Sequence, residues 1–218
     1  CHSVQGSSHE MAHVAEVPYK EMDFRCAGVN HLAWFTELSH KGRNLYPKIF
    51  ERVRTEPSVY ETNPVRFEMM LHFGAFVTES SGHFSEYLPY FRKRPDLIKK
   101  YCRDGYRGGS SFYADNWPTW RAESDRRRAE LAKDLTKMDM NRGYEYARES
   151  IEGHAFNTPK IIYGSVMNNG LISNLLPDNV AEVAVMVNRN GFNPCHFGEL
   201  PPQMAAICRS HQAVYDLV

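Results

Sequence analysis

Residues 24–38 read FRCAGVNHLAWFTEL. Ala33 to Leu38 is a strand-like apolar run, entered through the turn-forming sequence Gly28-Val29-Asn30-His31. The reading of this stretch decides the fold class, because the segments around it carry helical spacing. SSHEMAHVAEV (7–17) has Ser7 or Ser8 as a possible N-cap, with Met11, Val14 and Val17 on one face. NLYPKIFERV (44–53) and NPVRFEMMLHFGAFVTE (63–79) read as helices, the second capped by Asn63, opened by Pro64 and closed near Gly74. A strand among these helices makes the chain α+β, and KIIYGSVM (160–167) and VAEVAVMVN (180–188) add two more strands.

The remaining stretches are less periodic. Residues 79–120, dense in aromatics, Gly and Ser, read as a long functional loop broken by one short helix from Pro95 to Tyr101. RAESDRRRAELAKDLTK (121–137) reads as a solvated helix, GYEYARESIEGHAF (143–156) as another, and MAAICRSHQAVYDLV (204–218) as a last one. RNGFNPCHFGELPPQ (189–203) is turn-rich. No repeat or low-complexity linker divides the chain.

Composition narrows the function classes. Among 218 residues, 26 basic and 26 acidic side chains cancel, so nothing pulls the chain toward nucleic acid or an anionic membrane. No run reaches the roughly 18 apolar residues that a membrane span needs. Both observations point to a cytoplasmic protein that binds neither nucleic acid nor membrane. Five cysteines without CxxC spacing argue against a disulfide framework or a structural zinc site. Neither a G-x-G-x-x-G nor a P-loop occurs in the chain.

Four constellations carry possible chemistry. Cys1, His2 and His31 offer a thiolate and imidazoles, donors that suit a borderline divalent metal and leave positions open to a substrate; a frayed thiol and a core histidine would read the same way. Asn30 either reaches a sugar hydroxyl or occupies a left-handed turn position. TESSGHFSEYLPYF (78–91) gathers Glu79, His83, Glu86, Tyr87 and Tyr90, suited to a sugar or simply packed on a core; Tyr87 becomes a competent base only if a cation favours its phenolate. SVMNNGLISNLLPDN (165–179) and NRNGFNPCHFGELPP (188–202) carry Asn168, Asn169, Asn174, Asn188, Arg189 and His196 at hairpin turns or at the edge of a cleft.

In this order, CHSVQGSS (1–8), RCAGVNHLAW (25–34), FGAFVTESSGHFSEYLPYF (73–91), EYA (145–147), IYGSVMNNGLISNLLP (162–177) and the stretch from VNRNG (187–191) to the C-terminus resemble glycoside hydrolase family 4, the NAD- and metal-dependent glycosidases, most of all its α-galactosidase branch. The resemblance implies that residues 1–218 are the family's C-terminal metal- and substrate-binding domain, a lactate/malate dehydrogenase-like α+β fold, truncated at both ends and lacking the N-terminal Rossmann domain. It implies Cys1 and His31 as metal ligands for Mn2+ or another divalent ion, and NAD as cofactor. Tyr87 then matches the base that takes the C2 proton, and His2 stands where some relatives place the general acid; Asn30, His83 and Asn168 are the expected substrate contacts. The implied reaction is oxidation at C3, elimination at C1, addition of water and reduction, unlike the two-carboxylate route of most glycosidases. An α-galactoside is the first expected substrate, with α-glucosides or hexuronic-acid α-glycosides (an α-glucuronidase or galacturonidase activity) next, and a homo-oligomer, dimer or tetramer, as the assembly. A catalytically inactive fragment or sugar-binding remnant is the alternative. NRNG (188–191) where the family prefers DRNG, and VMNNG (166–170) where it has VRNDG, bear on substrate preference and subunit contacts.

Overall fold

The run at 24–38 folds as part of a β-hairpin. β1 (Met22–Val29) and β2 (Leu32–His40) pair antiparallel from Met22↔His40 to Val29↔Leu32, with a bulge between Arg25 and Cys26. Gly28 and Val29 therefore belong to a strand, and the turn is the two residues Asn30 and His31. The left-handed position falls to His31, at φ 61°, and not to Asn30. Gly28 is required by close approach: a Cβ there would lie 2.3 Å from the Leu32 carbonyl oxygen and 2.7 Å from Ala33 Cα.

This computed structural model describes residues 3–102, 112–141 and 146–217. They fall into two compact units, Cys1–Ser80 with Tyr144–Val218, and Ser81–Gly143. In the first unit the hairpin is the middle of a seven-stranded sheet. Its main path runs β3 (Arg43–Asn44), β2, β1, β6 (Val180–Asn188), β5 (Lys160–Met167); β4 (Phe76–Val77) adds to β2 and β7 (Gly191–Pro194) to β6. All of these pairings are antiparallel.

Helices cover the sheet. α1 (Ser3–Ala15) buries Val4, Met11 and Ala15; Ser7 and Ser8, expected as caps, lie inside it and are buried. α2 (Tyr46–Thr55) and the short α3 (Pro57–Tyr60) precede α4 (Pro64–Phe73), which ends on Gly74 at φ 87°, as its Asn-Pro start and glycine stop predict. α4 anchors to α1 through Arg66, 3% exposed, which pairs with Glu10 at 2.7 Å and donates to Ser7 Oγ at 2.7 Å. Its guanidinium lies 4.1 Å from the centroid of the Phe76 ring, in an aromatic core with Phe35 and Phe67.

The second unit corrects the long-loop expectation. Within 79–120 the structure builds α5 (Ser81–Tyr87), α6 (Pro95–Tyr101) and the start of α7 (Phe112–Lys133). α5 is too short to show a period, although Phe84 and Leu88, four residues apart, are both buried. α7 runs through Pro118, a residue that normally breaks a helix and masked its N-terminal half in the sequence. Back in the first unit, α8 (Ala147–Phe156) packs on β5 and β6, with Ile162, Val185 and Val187 beneath, and α9 (Pro202–Tyr215) is the final helix. Among the described residues no helix is long and apolar enough to cross a membrane, and Cys26, Cys102, Cys195 and Cys208 are free thiols.

Because the atoms facing Gly28 are backbone, Gly28→Ala cannot be absorbed by a rotamer change. It is expected to destabilise the protein by about 1–3 kcal/mol, read as a lowered urea midpoint; an unchanged midpoint would contradict the close approach.

Candidate functional site

The site grows from the far edge of β2. β4 pairs with β2 at Trp34↔Val77 and Phe35↔Phe76. The next residues exchange two hydrogen bonds, Thr78 N to the Ala33 carbonyl at 2.8 Å and Ala33 N to Thr78 Oγ1 at 3.0 Å. From below, Arg66 donates from Nε and Nη2 to the Val77 carbonyl at 3.1 and 3.0 Å. The chain leaving β4 is thereby fixed against the chain entering β2, and Glu79 arrives beside His31.

His31 and Glu79 meet through Nδ1 and Oε2. The same carboxylate oxygen accepts from Ser3 Oγ at 3.1 Å, and that hydroxyl also lies 3.4 Å from His31 Nδ1. Both partners have left-handed backbones, Glu79 at φ 78° and His31 at φ 61°, which costs on the order of 1–3 kcal/mol for a side-chain-bearing residue. The Glu79 side chain is 8% exposed and that of His31 29%, so the histidine side chain still reaches solvent in part. The hydrogen bond to Glu79 raises the His31 pKa against the opposing effect of burial. Burial pushes Glu79 upward, but the hydrogen bonds from His31, the Ser80 amide and Ser3 outweigh it and hold the carboxyl at about 2.

A third carboxylate, Glu182 on β6, sits opposite Gly28 of β1. It is 0% exposed, and among the described residues neither of its oxygens has a hydrogen-bond partner. Desolvation lifts its pKa to about 7; the charge of Glu79 adds to the rise and that of His31 opposes it.

The expected site residues fare differently. His31 is held by Glu79, which the sequence offers only as one member of a cluster suited to a sugar or packed on a core, and by Ser3, to which the sequence gives no role. Asn30 is exposed at the hairpin turn. Asn168 is a correction: it is fully buried, its amide donates to the carbonyls of Ile172, Leu175 and Leu176, and its carbonyl accepts from Ile172 N at 2.7 Å. Its polar atoms close a loop and present nothing to a sugar. His83 lies in the second unit, with Nδ1 bonded to Glu86 and Nε2 to the Tyr113 hydroxyl at 2.9 Å, so both nitrogens already have partners. Tyr87, 38% exposed, is in the same unit, with its ring 6.5 Å from that of His83. Cys1 and His2 lie outside the described residues. Among those described, no three His, Cys, Asp or Glu side chains are grouped to hold a metal. Glu182 had a sequence signal: a lone glutamate in the buried strand VAEVAVMVN.

The sequence model described as "Family 4 glycosyl hydrolase C-terminal domain" matches residues 26–218. The chain belongs to glycosyl hydrolase family 4. As a family 4 chain it is 37% identical over 215 residues to an alpha-galactosidase of Bacillus subtilis (strain 168), covering 97% of this chain and 48% of that protein. The crystal structure of lplD from the same organism superposes with a TM-score of 0.81 at 20% identity, covering 99% of this chain and 53% of the other. A 6-phospho-alpha-glucosidase from gut microorganisms, solved in complex with NAD and Mn2+, superposes with a TM-score of 0.72 at 19% identity, covering 100% and 51%. The family 4 C-terminal α+β fold is thus the fold of this chain, which spans about half the length of the curated relatives it matches.

The raised carboxyl of Glu182 has a consequence for stability. The folded protein releases this proton later than the unfolded chain, so stability falls as pH rises from the ordinary carboxylate range, 4.5, toward about 7. Glu182→Gln removes that loss: its urea midpoint relative to the native protein should climb between pH 4.5 and 7.5. A pH-independent difference would contradict an uncompensated Glu182.

Proposed function

We propose that this chain serves the hydrolysis of α-glycosides, α-galactosides first, using NAD and a divalent metal, manganese foremost. The observation that carries the reading is the His31–Glu79 pair: an imidazole whose Nδ1 is engaged by a buried carboxylate keeps Nε2 as its ligating nitrogen, on a side chain that still reaches solvent in part. Preference for an α-galactoside is supported by the 37% identity to the Bacillus subtilis alpha-galactosidase, against 24% to the maltose-6'-phosphate glucosidase of the same organism.

One of the two implied metal ligands, His31, is among the described residues. Imidazole suits a borderline divalent ion, His31 is oriented, and Cys1, the second implied ligand, lies two positions before Ser3 in sequence. When bound, NAD supplies the hydride acceptor and the metal a Lewis acid for the sugar's oxygens. The chain's own residues do the rest. His31 would hold the ion through Nε2, with Glu79 and Ser3 fixing its ring. Tyr87 takes the sugar's C2 proton at its phenolic oxygen, His2 supplies a proton to the leaving group, and Asn30 donates its amide to a hydroxyl.

The test is turnover of nitrophenyl α-glycosides by the native full-length protein with NAD, Mn2+ and a reductant. α-Galactoside cleavage should exceed α-glucoside cleavage, stop on chelation, and disappear in His31→Ala. Tyr87→Phe should keep metal affinity and lose roughly 10²–10⁴-fold in rate, together with exchange of the C2 proton into deuterated solvent. Undiminished cleavage without NAD and metal would overturn the reading, and unchanged exchange in the Phe variant would remove Tyr87 from it.

A further inference from the structure

We infer that Glu79 is a positioning residue that sets the tautomer and ring plane of His31 and so decides which nitrogen is offered to the metal. The inference rests on the metal reading of His31 and adds a second residue to it. A neutral imidazole carries one proton on either of two nitrogens, and only the bare one can ligate. Glu79 Oε2 lies against Nδ1. A carboxylate accepts and does not donate, so it selects the Nδ1–H form and leaves the lone pair on Nε2. Metal-binding histidines are commonly held this way, and losing the outer carboxylate weakens metal affinity by about 10–100-fold.

Packing alone does not account for Glu79. A carboxylate at 8% exposure has given up most of its hydration, and its backbone sits at φ 78°, where a side chain is disfavoured. Both penalties are sustained by the surroundings. Thr78 is tied to Ala33 by two hydrogen bonds, Val77 is held by Arg66, and Ser3 Oγ donates to the oxygen that receives His31. Ser3 orients the carboxylate by giving it a second donor. With its donor engaged at Glu79, the hydroxyl has only acceptor lone pairs to offer Nδ1 at 3.4 Å, which again favours a proton there. Three elements far apart in sequence, α1, the β1–β2 turn and the exit of β4, converge on one nitrogen.

Two measurements on the native full-length protein test this. In metal-free protein labelled with ¹⁵N-histidine, long-range ¹⁵N–¹H correlation spectra at alkaline pH report the His31 tautomer. Titration with Mn2+, followed by the spin-resonance signal of the free ion, reports affinity. The native protein should show the Nδ1–H tautomer. Glu79→Ala should mix the tautomers and weaken Mn2+ binding 10–100-fold, whereas Glu79→Gln, whose amide oxygen still accepts, should restore the Nδ1–H form and most of the affinity. His31→Ala should abolish the binding. Native-like affinity in Glu79→Ala, with binding lost in His31→Ala, overturns the positioning role and leaves the metal reading standing. Native-like affinity in His31→Ala overturns the metal reading itself. Should Glu79→Ala fail to fold, the native tautomer decides: an Nε2–H form overturns the inference.

Discussion

The two hydrogen bonds exchanged by Ala33 and Thr78 are the constraint on which the site depends. They join the start of β2 to the end of β4 across 45 residues of sequence and hold in register the two residues just beyond, His31 and Glu79. The hairpin beneath must be tight for this to work, and Gly28 allows that by leaving room for the Leu32 carbonyl. Arg66 completes the frame from the helical side. A buried guanidinium is costly unless paired, and here Glu10, Ser7 and the Val77 carbonyl together satisfy it. The same contacts stiffen the strand that delivers Glu79.

Two buried glutamates in this unit are shifted in opposite directions. Glu79 has hydrogen-bond donors, so its negative charge is kept despite burial. Glu182 has none among the described residues, and burial favours its protonated form. A group that burial and partners push this far from its ordinary range is characteristic of functional sites, and Glu182 feels the charges of both His31 and Glu79. A β-strand can carry such a group because alternate residues face opposite sides: Ala181 and Val183 are buried in the apolar packing while Glu182 projects the other way.

Part of this was legible in the sequence. The strands at 160–167 and 180–188 are rich in β-branched and apolar residues, and α4 carries explicit start and stop residues. β1 was missed although Met22 to Cys26 alternates apolar with polar residues, because that run is short and Gly28-Val29-Asn30-His31 reads as a turn; pairing with β2 carries the strand on through Gly28 and Val29. The long-loop reading of 79–120 failed where a seven-residue helix and an internal proline leave no periodic signal. At the site, His31 emerged from shared words and from donor chemistry. Glu79 was visible as one acidic residue in a polar stretch, but nothing in linear spacing pairs residues 48 apart. Asn168 misled because an asparagine at a loop tip looks the same whether its amide faces a ligand or, as here, three carbonyls of its own loop.

The most direct test of the account is a crystal of the full-length protein grown with Mn2+ and NAD, with anomalous diffraction collected at the manganese edge. The account predicts an anomalous peak at bonding distance from His31 Nε2 while Nδ1 remains hydrogen-bonded to Glu79. A peak bound through Nδ1 with Glu79 displaced, or a manganese site remote from His31, would contradict it.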